Sequence, residues 1–403
     1  MAEIGIVSRR FPPAEGGVER FLGGLLCVLK ERHAFRAAAQ IFSDAPERPG
    51  GDDLCARAFP DLDYHGIPVK SLSPDRIDRL RLLPCGLKLL PGLRRFAYAP
   101  LKRMAVRRFA DVYFHRTCAF FRGVSLIHSF AFDGAGLLAC RVTRELHVPF
   151  VITPFMHPRR WGDNPENIAL YNAADAIVAL HEADRQQLLN AGVCDSRIRV
   201  IGVGIGPASG DGAAFRARHN IRGPLLLFVG RLVRHKGYAE LVCAVEELVE
   251  AGMPLTLLMM GPHAKNPVSF FNRRLSSNIR YLGHANEQEK QDALAACDLF
   301  CLPSDSEILP VTILEAWSAG KPVLVGDIPA LRCLVQSGKT GVFVHRNVDT
   351  IKAALREFTK APDAWKRMGD NGRALVEREY TMTRIAEKTD ALYRELLEQR
   401  GCG

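Results

Sequence analysis

One feature narrows the folding problem more than any other: short apolar runs of four to six residues alternate with longer stretches of helical periodicity along most of the 403-residue chain. In the first half Ile4–Val7, Ser125–His128, Phe150–Thr153, Ala176–Leu180 and Ile198–Val203 read as strands. Helices are expected at Val18–Arg32 and Glu182–Asn190. Runs without polar alternation suit strands buried on both faces, and the helices between them supply the crossovers that parallel pairing requires. From Gly202 to Pro224 the pattern lapses into Gly, Pro and Ala, which reads as a linker. The rhythm then restarts, with strands at Leu225–Val229, Leu255–Met260, Leu299–Leu302 and Pro322–Val325. Helices are expected at Ala239–Glu250, Gln288–Ala296, Ile313–Ala319 and Thr350–Phe358, and a closing helix at Thr383–Gln399. Length predicts two domains or three. The reading is α/β: two doubly wound Rossmann-like domains, 1–206 and 207–380, facing across a cleft, with residues 381–403 crossing back to the first domain. Open α/β sheets bind ligands at the carboxyl ends of their strands, so facing sheets would make one deep site.

Composition excludes several classes. Hydrophobic residues at 47% and charged residues at 24% are globular values, not those of a disordered chain. No window approaches the 18 apolar residues of a membrane span. Glu3 and the lack of a basic leader argue against a secretory signal, so a cytoplasmic location is expected. The 11 cysteines are scattered and include no C-x-x-C pair. Buried reduced thiols are expected, with Cys297 and Cys301 in or beside an apolar run.

Charge is distributed unevenly. The whole chain carries a formal +10, and the segment from Arg76 to Arg122 alone matches it, with 12 Lys or Arg against Asp78 and Asp111. Interleaved with the cations are Leu82, Leu83, Leu87, Leu89, Leu90, Leu93, Phe96, Tyr98, Phe109, Phe114, Phe120 and Phe121. Basic and apolar residues mixed in this way suit an anionic membrane surface, on the inner face of the membrane for a cytoplasmic protein. They equally suit a helix pair with a solvated basic face and a core-facing stripe. No finger, RNA-binding or helix-turn-helix signature accompanies the charge, so nucleic acid is not an expected partner.

Three stretches carry chemistry. In Pro303-Ser-Asp-Ser-Glu307-Ile-Leu-Pro-Val-Thr-Ile-Leu-Glu315-Ala-Trp-Ser-Ala-Gly320-Lys-Pro-Val, two glutamates stand eight positions apart. Glu307 lies in the loop after a strand and Glu315 in the helix that follows. The loop delivers a carboxylate, suited to sugar hydroxyls, beside helix-end amides suited to an anion. Alone, the same stretch reads as a capped helix with a solvated Glu315. In Phe228-Val-Gly230-Arg231-Leu-Val-Arg-His-Lys236-Gly237, a strand end is followed by two cations five residues apart. Arg offers a planar fork and Lys a point charge to a diphosphate. Each charge pair is worth on the order of 4 kcal/mol at about 4 Å and a dielectric near 20. A solvated basic loop is the competing reading. In Phe11-Pro-Pro-Ala-Glu-Gly16-Gly17-Val18-Glu19-Arg20, glycines between a strand and a helix would let amides approach a phosphate, or simply make a turn. Neither G-x-G-x-x-G nor a Walker loop is present.

Together the three loops resemble the retaining GT-B glycosyltransferases of the glycogen-synthase and bacterial mannosyltransferase group, family 4. Also in order are Ala174-Asp-Ala-Ile-Val, Gly192-Val, Arg197-Ile-Arg-Val-Ile and Tyr281-Leu-Gly283. The resemblance implies that Arg231 and Lys236 hold the donor diphosphate, with Gly230, Leu309, Val311 and Thr312 around them. It implies that Glu315 binds the donor ribose, that Glu307 binds the transferred sugar, and that backbone near His284 and Ala285 meets the base. Gly16 and Gly17 would line the phosphate and acceptor side, His157 would sit near the sugar, and Glu19 and His128 would serve the acceptor. The catalytic set would be Glu307, His157, Arg231 and Lys236. The co-substrate would be a UDP- or GDP-sugar and the acceptor a sugar or a lipid-linked hydroxyl. No cofactor and no metal ion are expected. A GT-B epimerase or phosphorylase, and a non-catalytic membrane- or polyanion-binding protein, are the alternatives. The sequence departs from the family pattern in three places: Leu309-Pro310 stands where Phe-Gly is common, Gly202-Val-Gly204-Ile replaces Pro-Asn-Gly-Val, and His181 replaces a serine or threonine.

Overall fold

The computed structural model describes residues 1–14, 16–42, 59–85, 91–157, 161–262, 276–307 and 311–401, with backbone only at 91–98 and 401. The chain divides into two compact units, Met1–Gly204 with Ile385–Gly403, and Ile205–Arg384.

In the first unit the strands are β1 (Glu3–Arg10), β2 (Ala34–Ile41), β3 (Leu62–Tyr64), β4 (Ile67–Ser71), β5 (Leu126–Phe130), β6 (Phe150–Ile152), β7 (Ala176–Ala179) and β8 (Ile198–Val200). Among the described residues they form one sheet in the order β3-β4-β2-β1-β5-β6-β7-β8. All neighbours are parallel except β3 and β4. The chain leaves β1 toward β2 on one side and later returns to β5 on the other, so the order reverses between β1 and β5. The loops after β1 and β6 therefore open on the same edge of the sheet, close to that reversal, where such sheets bind ligands. The helix Gly17–Leu29 covers the sheet with Phe21, Leu22, Leu25, Leu26 and Leu29, a 3.6-residue stripe. The helix Met382–Gly401 also belongs largely to this unit. Its Asp390 accepts from Arg32 Nη1 and pairs with His33 Nε2, both at 2.8 Å.

In the second unit the strands are β9 (Leu225–Val229), β10 (Thr256–Met260), β11 (Ile279–Tyr281), β12 (Leu299–Leu302), β13 (Val323–Gly326) and β14 (Gly341–Val344). They form an all-parallel sheet, β11-β10-β9-β12-β13-β14. Every residue of β9, β10, β12 and β13 is buried, which is why these strands read as unbroken apolar runs. Each fully buried Leu, Val or Phe contributes about 1.5–3 kcal/mol.

Two expectations are corrected. Gly202–Pro224 is not a plain linker. It contains the helix Gly212–Arg218, capped by Asp211, which accepts from the Ala214 amide. Phe215 of that helix is fully buried in the second core. The helix is too short for periodicity to reveal. Nor are all the thiols buried. No described cysteine is in a disulfide, and Cys297 and Cys301 are buried, but Cys194 and Cys333 are exposed. Burial pushes the Cys297 thiol up to about 12.

The basic segment forms the helices Arg76–Leu82 and Pro91–Phe120. Leu82, Phe109, Tyr113 and Phe121 turn into the core, whereas Ile77, Leu80 and Leu83 face solvent. Leu87, Leu89 and Leu90 lie outside the described residues.

Candidate functional site

Because β9 pairs with β12, the turn after β9 and the loop after β12 run side by side at the carboxyl edge of the second sheet. Two hydrogen bonds join them: Ser304 Oγ and the Asp305 amide both donate to the His235 carbonyl at 2.9 Å. The approach is close enough to demand glycine at 237. Its φ is +71°, and a Cβ there would lie 2.2 Å from the Pro303 carbonyl oxygen. The result is direct contact between two of the expected site residues. Lys236 Nζ donates to both oxygens of Glu307, at 2.6 and 2.7 Å. The side chains are 17% and 6% exposed. Arg231, one turn earlier, is exposed and makes no ion pair among the described residues. Gly230 donates its amide to the Met260 carbonyl at 3.0 Å, joining β9 to β10.

Glu315 sits in the helix Val311–Ser318, anchored by the buried Ile313, Leu314, Ala316 and Trp317. Trp317 Nε1 donates to the Thr340 carbonyl at 2.8 Å. Lys290 Nζ donates to Glu315 Oε1 and also pairs with Glu287 at 2.9 Å. Glu315 Oε2 is buried and has no hydrogen-bond partner among the described residues. Buried carboxylate oxygens are almost always satisfied, so this one is suited to a hydroxyl brought by a ligand. Lys290 escaped the sequence reading: it is 5% exposed, 25 positions from Glu315, and only helix packing brings the two together. A lysine in the apolar neighbourhood of Ala293 and Leu294 was the one available signal.

Val311 and Thr312 occupy the first turn of the same helix, where backbone amides lack an intrahelical acceptor. Leu309 and Pro310 lie outside the described residues. His284 and Ala285 follow β11 and Gly283, whose carbonyl accepts from the Gly261 amide at 2.8 Å. These positions all lie at the carboxyl edge of the second sheet.

In the first unit, Gly16 and Gly17 follow β1 and open the helix Gly17–Leu29. A Cβ on Gly16 would lie 2.1 Å from Glu19 Oε2. Glu19 is therefore folded back over the loop, 5% exposed, with Oε1 accepting from Arg10 Nε at 2.7 Å. That arrangement makes Glu19 a shaper of the loop and not an open acceptor ligand. His157 follows β6. Its backbone exchanges two hydrogen bonds with Trp161, at 2.9 and 3.0 Å, and the two rings lie 4.7 Å apart. Trp161 remains 38% exposed and was not singled out from sequence.

His128 does not stand on an open surface. It is 1% exposed in β5, with Nδ1 against Tyr393 Oη and Nε2 against Thr153 Oγ1, both at 2.8 Å. Neither nitrogen is left for an acceptor, and burial lowers its pKa to about 3, which keeps the ring neutral. The unusual His181 has an evident local job: its Nδ1 accepts from the Asp184 amide at 3.0 Å, capping the helix Glu182–Asn190 as a serine or threonine would. Among the described residues no group of three or more His, Cys, Asp or Glu is placed to hold a metal ion.

Two doubly wound parallel sheets in one chain, one carrying cations and carboxylates at its carboxyl edge, define a protein of the GT-B class. The comparisons with known proteins give the family. The model described as "Glycosyltransferase Family 4" matches residues 16–208, and that described as "Glycosyl transferases group 1" matches residues 213–375. The chain belongs to this family of glycosyltransferases. It is 26% identical over 252 residues to alpha-maltose-1-phosphate synthase of Mycolicibacterium smegmatis, covering 56% of this chain and 64% of that protein. It is 28% identical over 135 residues to phosphatidyl-myo-inositol mannosyltransferase of Mycobacterium tuberculosis, covering 33% and 36%. The chain thus aligns with less than two thirds of the length of these relatives. Among solved structures, Anabaena HepE in complex with UDP and glucose superposes with a TM-score of 0.71 at 17% identity, over 98% of this chain and 100% of that one. Sucrose-phosphate synthase from Thermosynechococcus elongatus gives 0.72 at 17% identity, over 99% and 100%.

Proposed function

We propose that the chain moves a sugar from a nucleoside-diphosphate sugar, UDP- or GDP-linked, to an acceptor hydroxyl with retention at the anomeric carbon. The observation that carries this reading is the unsatisfied, buried Glu315 Oε2, held in a helix whose first turn adjoins the Lys236–Glu307 loops. Glu315 accepts from a ribose hydroxyl. Lys236 turns from Glu307 to the diphosphate, which frees Glu307 to accept from hydroxyls of the transferred sugar. Arg231 and the first-turn amides of Val311–Ser318 share the charge that develops on the departing diphosphate, a preorganised electrostatic stabilisation. This route needs no metal ion. Attack comes from the face the leaving group vacates, since no double-displacement nucleophile is evident among the described residues. Gly16 and Gly17, on the loop after β1, line the phosphate and acceptor side, and His157, on the loop after β6, sits near the transferred sugar.

The test is a thermal-shift series with UDP-, GDP- and dTDP-sugars. A ligand at 100 times its Kd adds about 2.7 kcal/mol, so the cognate nucleotide should raise Tm and the others should not. Arg231→Ala should abolish the shift. No shift with any nucleotide sugar refutes the reading, and NMR of the product from a cognate donor checks retention.

A further inference from the structure

The geometry points to the outward face of the helix Arg76–Leu82, together with Leu83, as a docking surface for an anionic lipid bilayer. This inference rests on exposure and charge alone and stands apart from the transferase reading. The sequence suggested a broad basic and apolar segment, but the structure withdraws much of it: Phe109, Tyr113 and Phe121 are core residues. What remains outside is compact. Ile77, Leu80 and Leu83 are 60%, 67% and 62% exposed. They are three of the six large apolar residues exposed among the described residues, gathered within seven positions. Single exposed apolar side chains are ordinary, whereas a cluster marks an interaction surface.

The orientation of this helix is fixed from the other side. Leu82 and Cys85 are fully buried. Asp78 is buried too, accepting from the Asp75 region's capping box and from Arg116 Nη1 at 2.8 Å. At 100° per residue, Asp78 and Leu82 share the inward face of the helix and Arg76 and Leu80 point the opposite way, with the exposed Leu83 just past its end. A helix exposed to water would put polar residues on that face; here leucines stand there beside arginines.

Charge selects the occupant. Arg76, Arg79 and Arg81 are exposed and have no carboxylate partner among the described residues. Arg108 joins them by donating its Nε to the Arg81 carbonyl at 3.0 Å, and the exposed Arg107 is its neighbour. Among the described side chains of the long helix, other cations are spent within the protein, Lys102 on Asp133 at 3.1 Å and Arg103 on Glu166. The carboxylate of this short helix, on Asp78, is turned inward and neutralised, so the outward face is cationic and apolar at once. A polyanion would answer the charge but leave three large aliphatic side chains in water. An anionic bilayer answers both, attracting the arginines to its headgroups and accepting the aliphatic side chains at the acyl boundary.

Co-sedimentation of the full chain with phosphatidylcholine vesicles, with and without phosphatidylglycerol, tests the inference. Binding is expected only with phosphatidylglycerol, and should weaken with salt. The double variants Leu80→Ser/Leu83→Ser and Arg76→Glu/Arg79→Glu should each lower the partition coefficient on the order of tenfold or more. Their circular dichroism and Tm should match the unsubstituted chain, since all four side chains are exposed; if one double variant misfolds, Ile77→Ser supplies the apolar arm. Lys30→Glu and Arg218→Glu, which alter exposed cations elsewhere, should bind as the unsubstituted chain does. The inference is overturned if the unsubstituted chain stays in solution with phosphatidylglycerol vesicles. It is equally overturned if the control variants lose as much binding as the patch variants, or if Leu80→Ser/Leu83→Ser instead converts a dimer to a monomer without changing vesicle binding.

Discussion

Substituting Lys236 by methionine should destabilise the second unit more than substituting Glu307 by glutamine, and combining the two should restore most of the loss. The reason lies in burial. With Nζ at 2.6 and 2.7 Å from the two carboxylate oxygens, the gross attraction at an effective dielectric of 20 is about 6 kcal/mol. Desolvation of both groups offsets most of this, so the pair itself contributes little net stability. Removing one partner is different, because it strands the other. Glu307 is 6% exposed and cannot be rehydrated without moving, so Lys236→Met should cost about 3 kcal/mol, the lower end for a broken buried pair. Lys236 is 17% exposed and can find water, so Glu307→Gln should cost about 1 kcal/mol, in line with one unsatisfied group. The double variant leaves no stranded charge and should lie within about 1 kcal/mol of the unsubstituted protein. For a unit of this size, 1 kcal/mol is about 2–4 °C in Tm, so Lys236→Met should fall by roughly 6–12 °C. Thermal melts of the four proteins, followed by circular dichroism with attention to separate unit transitions, provide the measurement. Transfer should be lost in all three variants. A Lys236→Met melt indistinguishable from the parent, or a double variant whose loss equals the sum of the singles, would refute the argument.

Lys290→Met should strand Glu315, costing about 3–5 kcal/mol, and should erase any preference for a ribonucleotide over its 2′-deoxy counterpart in calorimetric binding; retention of both stability and preference would remove Lys290 from the site. Gly16→Ala, which drives a Cβ into the Glu19 carboxylate, should lower stability by about 1–3 kcal/mol in urea melts, with Glu19→Ala on top of it recovering much of the loss. His128 predicts a pH dependence whose sign is fixed: its folded pKa is about 3, below the ordinary value of 6.5, so the unfolded chain binds more protons between those limits. Its contribution is complete above about pH 6.5 and is lost toward pH 3 at up to about 1.4 kcal/mol per unit, so urea titrations at pH 7, 6, 5 and 4 should show the first unit weakening, and His128→Gln should flatten the slope.

How much was legible follows the physics of each element. Leu225–Val229, Leu299–Leu302 and the helix Glu182–Asn190 were read to the residue. Buried parallel strands are unbroken apolar runs, and that helix is well capped. β2 was missed because Ala34–Ile41 carries three consecutive alanines, which favour helix in isolation; it is a strand only because β1 and β4 flank it. The short Gly341–Val344 strand and the helices Asp133–Leu146, Pro165–Asn172 and Pro362–Leu375 also went unread. At the site, spacing pointed to the Lys236 and Glu307 loops, because motif order is a one-dimensional signal. Spacing is silent on Lys290 and Trp161, whose relevance depends on packing. Nor does it reveal that His128 is enclosed, because a histidine at the end of an apolar strand looks the same whether its ring is open or enclosed.

The helix Met382–Gly401 has a consequence for the order of events during synthesis. The partners of Arg32, His33 and His128 are Asp390 and Tyr393, separated from them in the chain by the whole of the second unit. A ribosome therefore completes every strand of the first sheet well before those partners emerge, and His128 Nδ1 and His33 Nε2 wait unanswered. Of these two units, the one begun earlier is finished later.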